Sequence, residues 1–174
     1  MNETMPAKRR YLPDLFQSRG YRKGAEIGTW LGEYAACILS RSAVDKLYCI
    51  DPWDGTGMSV DFDGDEVMHK CRERLAPFGD RARIIRAASP HCAPLFSPGA
   101  LDFVYIDAKH DYESAAADIR AWLPIVRAGG VLAGHDYSNR CGKGVKRAVL
   151  EAFPETAVNV TADERCASWW VEVE

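Results

Sequence analysis

The sequence predicts a single α/β domain with a doubly wound, mostly parallel sheet and an antiparallel last strand. Three observations support this prediction. The chain has 174 residues, enough for one ordinary domain and too few for two. Strand-like and helix-like segments alternate along it, an order that favours parallel strands joined by right-handed crossovers. The last two strand-like segments have no helix between them, so one of them should run antiparallel.

The predicted helices follow apolar residues at helical spacing. An N-terminal extension and a first short helix cover residues 1–20, and this helix ends at Gly20. The longest helical pattern carries Ile119, Trp122 and Val126 on one face, contains Pro124, and should end at the glycine pair that follows. The later helices are predicted at residues 30–40, 65–76, 112–127 and 143–153.

Short apolar runs between the helices predict the strands. They are placed at residues 25–28, 47–50, 81–86, 101–106, 131–133, 157–160 and 167–173. In doubly wound sheets, ligands bind beyond the carboxyl ends of the strands. This rule selects the strand-end residues as candidate functional residues, namely Glu26, Gly28, Asp51, Ala88, Ser89, Asp107, His135 and Asp136.

Composition and charge argue against two classes of partner. The net charge of −3 disfavours a general nucleic-acid binder, which needs a basic face. No run of 18 apolar residues is present and no apolar stretch follows the basic N-terminus, so we expect neither a membrane span nor a secretory signal. The six cysteines form no Cys-x-x-Cys motif, and without a secretory signal an even count does not imply disulfides, so we expect reduced thiols and a cytoplasmic protein. The expected partner is a small molecule, with no nucleic acid and no membrane.

The first strand–helix turn, Glu26-Ile-Gly-Thr-Trp-Leu-Gly32, carries the best candidate for a cofactor site. Its Gly-x-x-x-Gly spacing serves a dinucleotide pyrophosphate less well than Gly-x-Gly-x-x-Gly does. The carboxylate of Glu26 would repel phosphate but suits a ligand with an amine. Asp51 follows Gly32 by 19 residues and can accept hydrogen bonds from a ribose diol. That diol is common to NAD and S-adenosylmethionine, so Asp51 alone does not distinguish them.

A resemblance supports the second cofactor. The 26–32 turn with Asp51 resembles the first motif and ribose-binding acid of class I S-adenosylmethionine-dependent methyltransferases. Segments 103–112 and 129–137 are similar to those of a compact family that includes macrocin-type O-methyltransferases. The resemblance spans residues 12–173. It implies a Rossmann-like sheet of seven strands with the last strand antiparallel.

The resemblance also implies roles for individual residues. The methionine part of the cofactor would lie over the glycine turn, with Glu26 near its amine. Trp53 would stack on the adenine and Ser89 would hydrogen-bond it, although Trp53 and Trp30 are explained equally well as core or loop anchors. The predicted cofactor-binding residues are Glu26, Gly28, Thr29, Trp30, Gly32, Asp51, Trp53, Ala88, Ser89 and Asp107.

His110 is the candidate general base. It lies three residues after Asp107, as in the macrocin-type pattern, and an imidazole can accept a proton at neutral pH. Two structural roles compete with this interpretation: His110 would cap the following helix or would hydrogen-bond Asp136.

A divalent metal, Mg or Mn, is a second expectation. Metal-dependent O-methyltransferases place ligands at the positions of Asp107, His135 and Asp136. His135 departs from their acid or amide, and imidazole suits Mn, Fe or Zn better than Mg. Either the metal differs, His135 turns away, or no metal binds.

The sequence therefore predicts a methyltransferase that modifies a hydroxyl of a small acceptor, such as a sugar or a phenol. Two alternatives stay open: a nicotinamide-dependent oxidoreductase, and a non-catalytic cofactor-binding module of a larger assembly. Trp169 and Trp170 are consecutive on the final strand and should point to opposite faces. We expect one of them to be exposed, which would indicate a homo-oligomer contact.

Overall fold

The computed structural model describes residues 10–55, 62–139, 143–162 and 166–174. The strands are β1 (Lys23–Ile27), β2 (Lys46–Asp51), β3 (Ala82–Arg86), β4 (Leu101–Ile106), β5 (Val126–Tyr137), β6 (Asn159–Val160) and β7 (Ala167–Glu172). The α-helices of the described residues are α1 (Tyr11–Ser18), α2 (Glu33–Arg41), α3 (Gly64–Leu75), α4 (Ser89–Cys92), α5 (Tyr112–Trp122) and α6 (Lys143–Ala152). None of these helices is both long and apolar enough to cross a lipid bilayer.

The seven strands form one sheet in the order β3-β2-β1-β4-β5-β7-β6. The first five strands pair in parallel, and β7 runs antiparallel to both β5 and β6. This topology confirms the predicted doubly wound, Rossmann-like fold. The strand order reverses between β1 and β4, which is where such sheets bind their ligands.

Helices cover both faces of the sheet and bury one apolar cluster on each. Trp169 belongs to the cluster beneath α5 and α6, whereas Trp170 belongs to the cluster beneath α1, α2 and α3. The two rings therefore lie on opposite faces, as predicted. The prediction that one of them is exposed is wrong, because Trp169 is 1% exposed and Trp170 is 8% exposed. The ring of Tyr11 packs at a centroid distance of 5.4 Å from that of Trp170.

The longest predicted helix is shorter than its apolar pattern. Helix α5 ends at Trp122, and Leu123–Ile125 form a 3-10 turn. Pro124 lacks the N–H that an α-helix needs, so the chain leaves the helix there. Strand β5 already begins at Val126, and the predicted stop at Gly129-Gly130 lies inside that strand.

The cysteines depart from the expectation at one position. Cys49, Cys71 and Cys92 are buried reduced thiols, and Cys37 is half-buried and forms no disulfide. Cys166 is disulfide-bonded, which the absence of a Cys-x-x-Cys motif did not predict. The expectation of reduced thiols is therefore wrong at Cys166.

Candidate active site

The carboxyl ends of β1 and β4 meet at Gly28 and Asp107. The amide of Gly28 donates to the carbonyl of Ile50 at 2.8 Å, and the amide of Asp107 donates to the carbonyl of Ile27 at 2.7 Å. Gly28 has φ = 86°, and a Cβ there would lie 2.1 Å from the Asp107 carbonyl oxygen. Glycine is thus required both for the backbone conformation and for the close approach. The predicted cofactor turn therefore lies directly beside the first acid of the proposed chemical site.

Asp51, the last residue of β2, holds the backbones of Trp30 and Trp53 by hydrogen bonds. Its Oδ2 accepts from the Trp30 amide at 2.9 Å and its Oδ1 accepts from the Trp53 amide at 2.7 Å. Both tryptophans have left-handed backbones, with φ of 50° and 47°. Burial raises the pKa of Asp51, and the two backbone donors offset part of that rise. Each carboxylate oxygen can accept more than one hydrogen bond, so this arrangement is compatible with binding a ribose hydroxyl.

The predicted cofactor residues differ widely in access. Glu26 and Thr29 are 1% and 4% exposed, while Trp30 is half-buried and packs edge-on against Phe62 at 4.5 Å. Gly32 has φ = 73° and precedes the first residue of α2. Burial is the largest cause of the raised pKa of the Cys49 and Cys71 thiols. The negative charge of nearby Glu26 is the second cause.

Trp53 does not line a cofactor site in this structure. The side chain is 1% exposed within the apolar cluster under α2 and α3, and its Nε1 donates to the Trp30 carbonyl at 2.9 Å. A ring buried on both faces cannot stack on an adenine. In this conformation the structure does not support adenine stacking by Trp53, and the contacts of its ring are those of the competing anchor interpretation.

The Ser89 hydroxyl also makes its hydrogen bonds within the protein. Its hydroxyl donates to Asp118 Oδ1 at 2.5 Å and accepts from Trp122 Nε1 at 2.8 Å. The hydroxyl hydrogen is thus used within a buried network between α4 and α5, so Ser89 has no hydrogen left to donate to an adenine and could only accept from its amino group. Ala88, the residue before it, is exposed at the end of the turn after β3.

Asp118 is the buried ionisable residue that sequence reasoning missed. It is 4% exposed, and burial raises its pKa to about 6 despite the opposing hydrogen bond from Ser89. Its position at i−4 from Trp122, on the apolar face of α5, was a signal that could have identified a buried acid.

Four ionisable side chains converge at the carboxyl ends of β4 and β5, with His135 and Asp136 inside the last turn of β5 and Asp107 and His110 just after β4. His110 Nε2 lies 2.9 Å from Asp136 Oδ2 and 3.9 Å from Asp107 Oδ1. His135 Nδ1 lies 3.2 Å from Asp136 Oδ2 and 3.8 Å from Asp107 Oδ1. We call these four residues the acid–imidazole cluster. The strand-end rule and the Asp-x-x-His spacing predicted all of its members.

Asp136 is the electrostatic centre of the acid–imidazole cluster. Burial alone would raise its pKa, but hydrogen bonds and positive charge from His110 and His135 outweigh burial and hold the pKa well below its usual range. The backbone of Asp136 is left-handed, with φ = 58°, which aspartate tolerates better than most residues. Asp136 is therefore an ionised acceptor that orients both imidazoles.

The cluster also has the composition of a metal site. Ligand atoms of Asp107, His110 and Asp136 all lie within 4.8 Å of one another. His135, which the resemblance implied as a ligand, approaches the same two carboxylates through Nδ1. The residues thus fit a divalent cation held by carboxylate and imidazole groups.

A small recess opens beneath the cluster. Asp107, Lys109, His110 and His135 border it, and its deeper wall includes Trp169. The recess measures about 10 Å³, room for roughly one water molecule. In this conformation an acceptor would therefore have to lie on the open side of the cluster, where His110 is half-exposed.

The fold and site together define a doubly wound α/β domain with the acid–imidazole cluster beside the topological switch point. A family model described as a methyltransferase domain, Methyltransf_24, matches residues 25–137. The match covers more than half of the chain. The protein therefore belongs to this methyltransferase family, which confirms the resemblance seen in the sequence.

Solved structures share the fold at low sequence identity. An O-methyltransferase from Bacillus cereus in complex with SAH is 18% identical, with a TM-score of 0.67 and coverage of 98% of this chain and 84% of that one. Cofactor-bound Rv0187 from MTB is 16% identical, with a TM-score of 0.70 and coverage of 99% and 84%. An rRNA methylase from Streptococcus thermophilus is 14% identical, with a TM-score of 0.67 and coverage of 98% and 99%. At these identities the likeness concerns the fold alone.

A curated relative is the uncharacterized protein y4gI of Sinorhizobium fredii (strain NBRC 101917 / NGR234). The two are 24% identical over 119 residues, which cover 66% of this chain. The match spans only 13% of the relative's length. It therefore gives no acceptor for the present domain.

Proposed function

We propose that this domain transfers the methyl group of S-adenosylmethionine to a hydroxyl oxygen of a small acceptor, with His110 as the general base. The observation that carries the proposal is the 2.9 Å contact between His110 Nε2 and Asp136 Oδ2 at the sheet edge that also holds Gly28. Family membership and the SAH-bound fold relative support the methyl donor. The net charge of −3 supports a small acceptor over nucleic acid.

The cofactor turn suits a cationic, ribose-bearing ligand. The acidic Glu26 at the end of β1 disfavours phosphate, and the Asp51 carboxylate has acceptor capacity for hydroxyl groups. Gly28 allows the backbone to approach a ligand without an intervening side chain. S-adenosylmethionine supplies an electrophilic methyl group when bound. These features disfavour the nicotinamide alternative, since a dinucleotide would bring a pyrophosphate to the same turn.

In the proposed proton removal, Asp136 orients the imidazole and His110 accepts the proton. The Asp136 carboxylate favours the neutral tautomer of His110 that carries its proton on Nε2, which places the lone pair on Nδ1. Transfer to the acceptor oxygen would break the methyl carbon–sulfur bond of a bound donor, and the bonding electrons would stay on sulfur. The acceptor's hydroxyl proton passes to His110 Nδ1. A positioned base of this kind contributes roughly 10²–10⁴ to the rate.

A metal is a second candidate for the same cluster, on the strength of its three closely spaced ligand groups. Asp107, His110 and Asp136 would hold the ion, which would lower the pKa of a bound hydroxyl. His110 would then be a ligand through Nε2 rather than an Asp136-bound base. The two chemistries therefore predict different responses to chelators.

Calorimetry with S-adenosylhomocysteine, with and without Mn²⁺ or Mg²⁺, is the first test. We expect saturable binding of S-adenosylhomocysteine and none of NADH. Binding of NADH without S-adenosylhomocysteine would overturn the proposal in favour of an oxidoreductase. Mn²⁺-dependent binding, together with loss of turnover in EDTA, would assign the cluster to a metal.

Turnover is tested by S-adenosylhomocysteine release with a panel of phenols and sugars. We expect His110→Ala and His110→Gln to lower turnover roughly 10²–10⁴-fold while the affinity for S-adenosylhomocysteine stays unchanged. His69 offers a matched control, because it is a solvent-exposed histidine on α3. Cofactor binding without methylation of any acceptor would instead support a non-catalytic module. Cytoplasmic location and homo-oligomerisation stay proposals from the sequence.

A further inference from the structure

Helix α6 packs unusually close to the turn that carries His110. A Cβ built on Gly144, the second residue of α6, would lie 2.2 Å from the Tyr112 amide nitrogen. It would lie 2.5 Å from the Asp111 carbonyl carbon and 2.6 Å from the His110 carbonyl oxygen. All three neighbours are backbone atoms, so none can rotate away. Any side chain at 144 must therefore displace the turn or the helix.

Space, rather than backbone conformation, explains the glycine at this position. No left-handed φ is found at Gly144, unlike Gly28. Glycine disfavours a helix relative to alanine. A helix-weakening residue thus stands where the helix touches the His110 turn, which indicates that the close approach itself matters.

Two side-chain contacts hold the same turn against α6. The Arg147 guanidinium lies over the Tyr112 ring at 3.9 Å from its centroid. The Tyr112 hydroxyl donates to Glu151 at 2.8 Å. On the other side, Asp111 Oδ1 accepts from the Ser114 amide at 2.8 Å and caps α5. The His110 backbone is therefore fixed between the start of α5 and helix α6.

We propose that Gly144 is a positioning residue for methyl transfer: it lets α6 seat the 110–112 turn so that the His110 imidazole reaches Asp136. The inference rests on the proposed role of His110 as base. An imidazole nitrogen 2.9 Å from its carboxylate has little tolerance, because hydrogen bonds weaken steeply with distance and angle. Misplacement of a reacting group by about 1 Å can lower a rate about 10²-fold.

Gly144→Ala is the principal test. We expect turnover, on any acceptor that the panel identifies, to fall roughly 10–100-fold while KM and the S-adenosylhomocysteine affinity stay within about twofold. Long-range ¹H–¹⁵N spectra of the imidazoles supply a readout that needs no acceptor. In the wild type His110 should carry its proton on Nε2, and in the variant this tautomer should lose population. The signals of His69 serve as the internal reference.

Arg147→Ala keeps the test decisive if Gly144→Ala does not fold. It leaves the glycine contact intact and removes the stacking on Tyr112, so we expect a smaller change in the same His110 signals. Leu150→Ala, at an exposed position on α6, should leave them unchanged. Wild-type His110 signals and turnover in Gly144→Ala, or in Arg147→Ala if Gly144→Ala does not fold, would overturn the inference. Full turnover in His110→Ala would overturn the proposed base instead, whatever the imidazole spectra show.

Discussion

At the scale of single residues, the two acids of the acid–imidazole cluster, Asp136 and Asp107, lie at unequal distances from His110. Asp136 lies 2.9 Å from the His110 imidazole, whereas Asp107 lies 3.9 Å from it. If His110 is a base oriented by Asp136, Asp136→Asn should lower turnover about 10²-fold or more, and Asp107→Asn should have a smaller effect. Steady-state rates with and without EDTA measure this. Equal losses in both variants, with a chelator-sensitive wild type, would favour the metal chemistry.

Asp118 makes a prediction about stability and pH. Its folded pKa, about 6, lies above the ordinary value of 3.8, so the folded state binds this proton more tightly than the unfolded state. Unfolding free energy should therefore rise as pH falls through 6 and level off below 4. The single-site contribution is about 3 kcal/mol.

Urea unfolding between pH 7 and pH 4 measures this contribution. Asp118→Asn keeps an oxygen that can accept from the Ser89 hydroxyl but cannot ionise. The wild type should gain stability relative to this variant as pH falls from 7 to 4. Parallel pH profiles for the two proteins would show that Asp118 ionises normally in the folded state.

At the scale of elements, sequence patterns located the strands that carry the site because apolar runs and turn residues are local signals. The Asp107 and Asp136 positions followed from the strand-end rule for the same reason, whereas His110 followed from the Asp-x-x-His spacing of the family resemblance. Side-chain direction was not predictable at Ser89, whose partners Asp118 and Trp122 lie 29 and 33 residues away. Helix α5 was predicted too long because its apolar spacing continues past Pro124, where the backbone cannot remain helical.

Gly28→Ala tests how β1 meets β4. The new Cβ would lie 2.1 Å from the Asp107 carbonyl oxygen, in addition to the strain of a positive φ. We expect a loss of more than about 2 kcal/mol in unfolding free energy, together with loss of S-adenosylhomocysteine binding. Gly20→Ala is the matched control, because Gly20 also has a positive φ but has nothing within 4 Å of its Cβ position.

In the control, the unfolding free energy should fall only by the cost of a side chain on a left-handed backbone, roughly 1–2 kcal/mol. The control should bind S-adenosylhomocysteine normally. Thermal unfolding and calorimetry on both variants measure the difference. Equal stability losses would mean that the carbonyl of Asp107 moves aside easily. The cofactor turn would then not depend on the close contact between the two strands.

At the scale of the whole molecule, the two ends of the parallel strands differ in what they contribute. We call them the carboxyl edge and the amino edge of the sheet. The carboxyl edge holds the acid–imidazole cluster and the cofactor turn. The amino edge is held by Asp102, which accepts from the amides of Arg22 and Lys23 at 2.7 and 2.8 Å and from Arg127 Nε at 2.7 Å. Burial opposes ionisation of Asp102, but these donors and the Arg127 charge lower its pKa overall.

Separation of the two edges predicts that stability and binding can be changed independently. Asp102→Asn removes the charge that three donors share, so it should lower the unfolding free energy by about 1–3 kcal/mol, or Tm by several degrees. The affinity for S-adenosylhomocysteine should stay unchanged, because Asp102 lies at the opposite end of β4 from Asp107. The stabilisation should be present above pH 4 and fade as pH falls below the ordinary aspartate pKa. Weaker S-adenosylhomocysteine binding by a folded Asp102→Asn protein would show instead that the edges are coupled through β4.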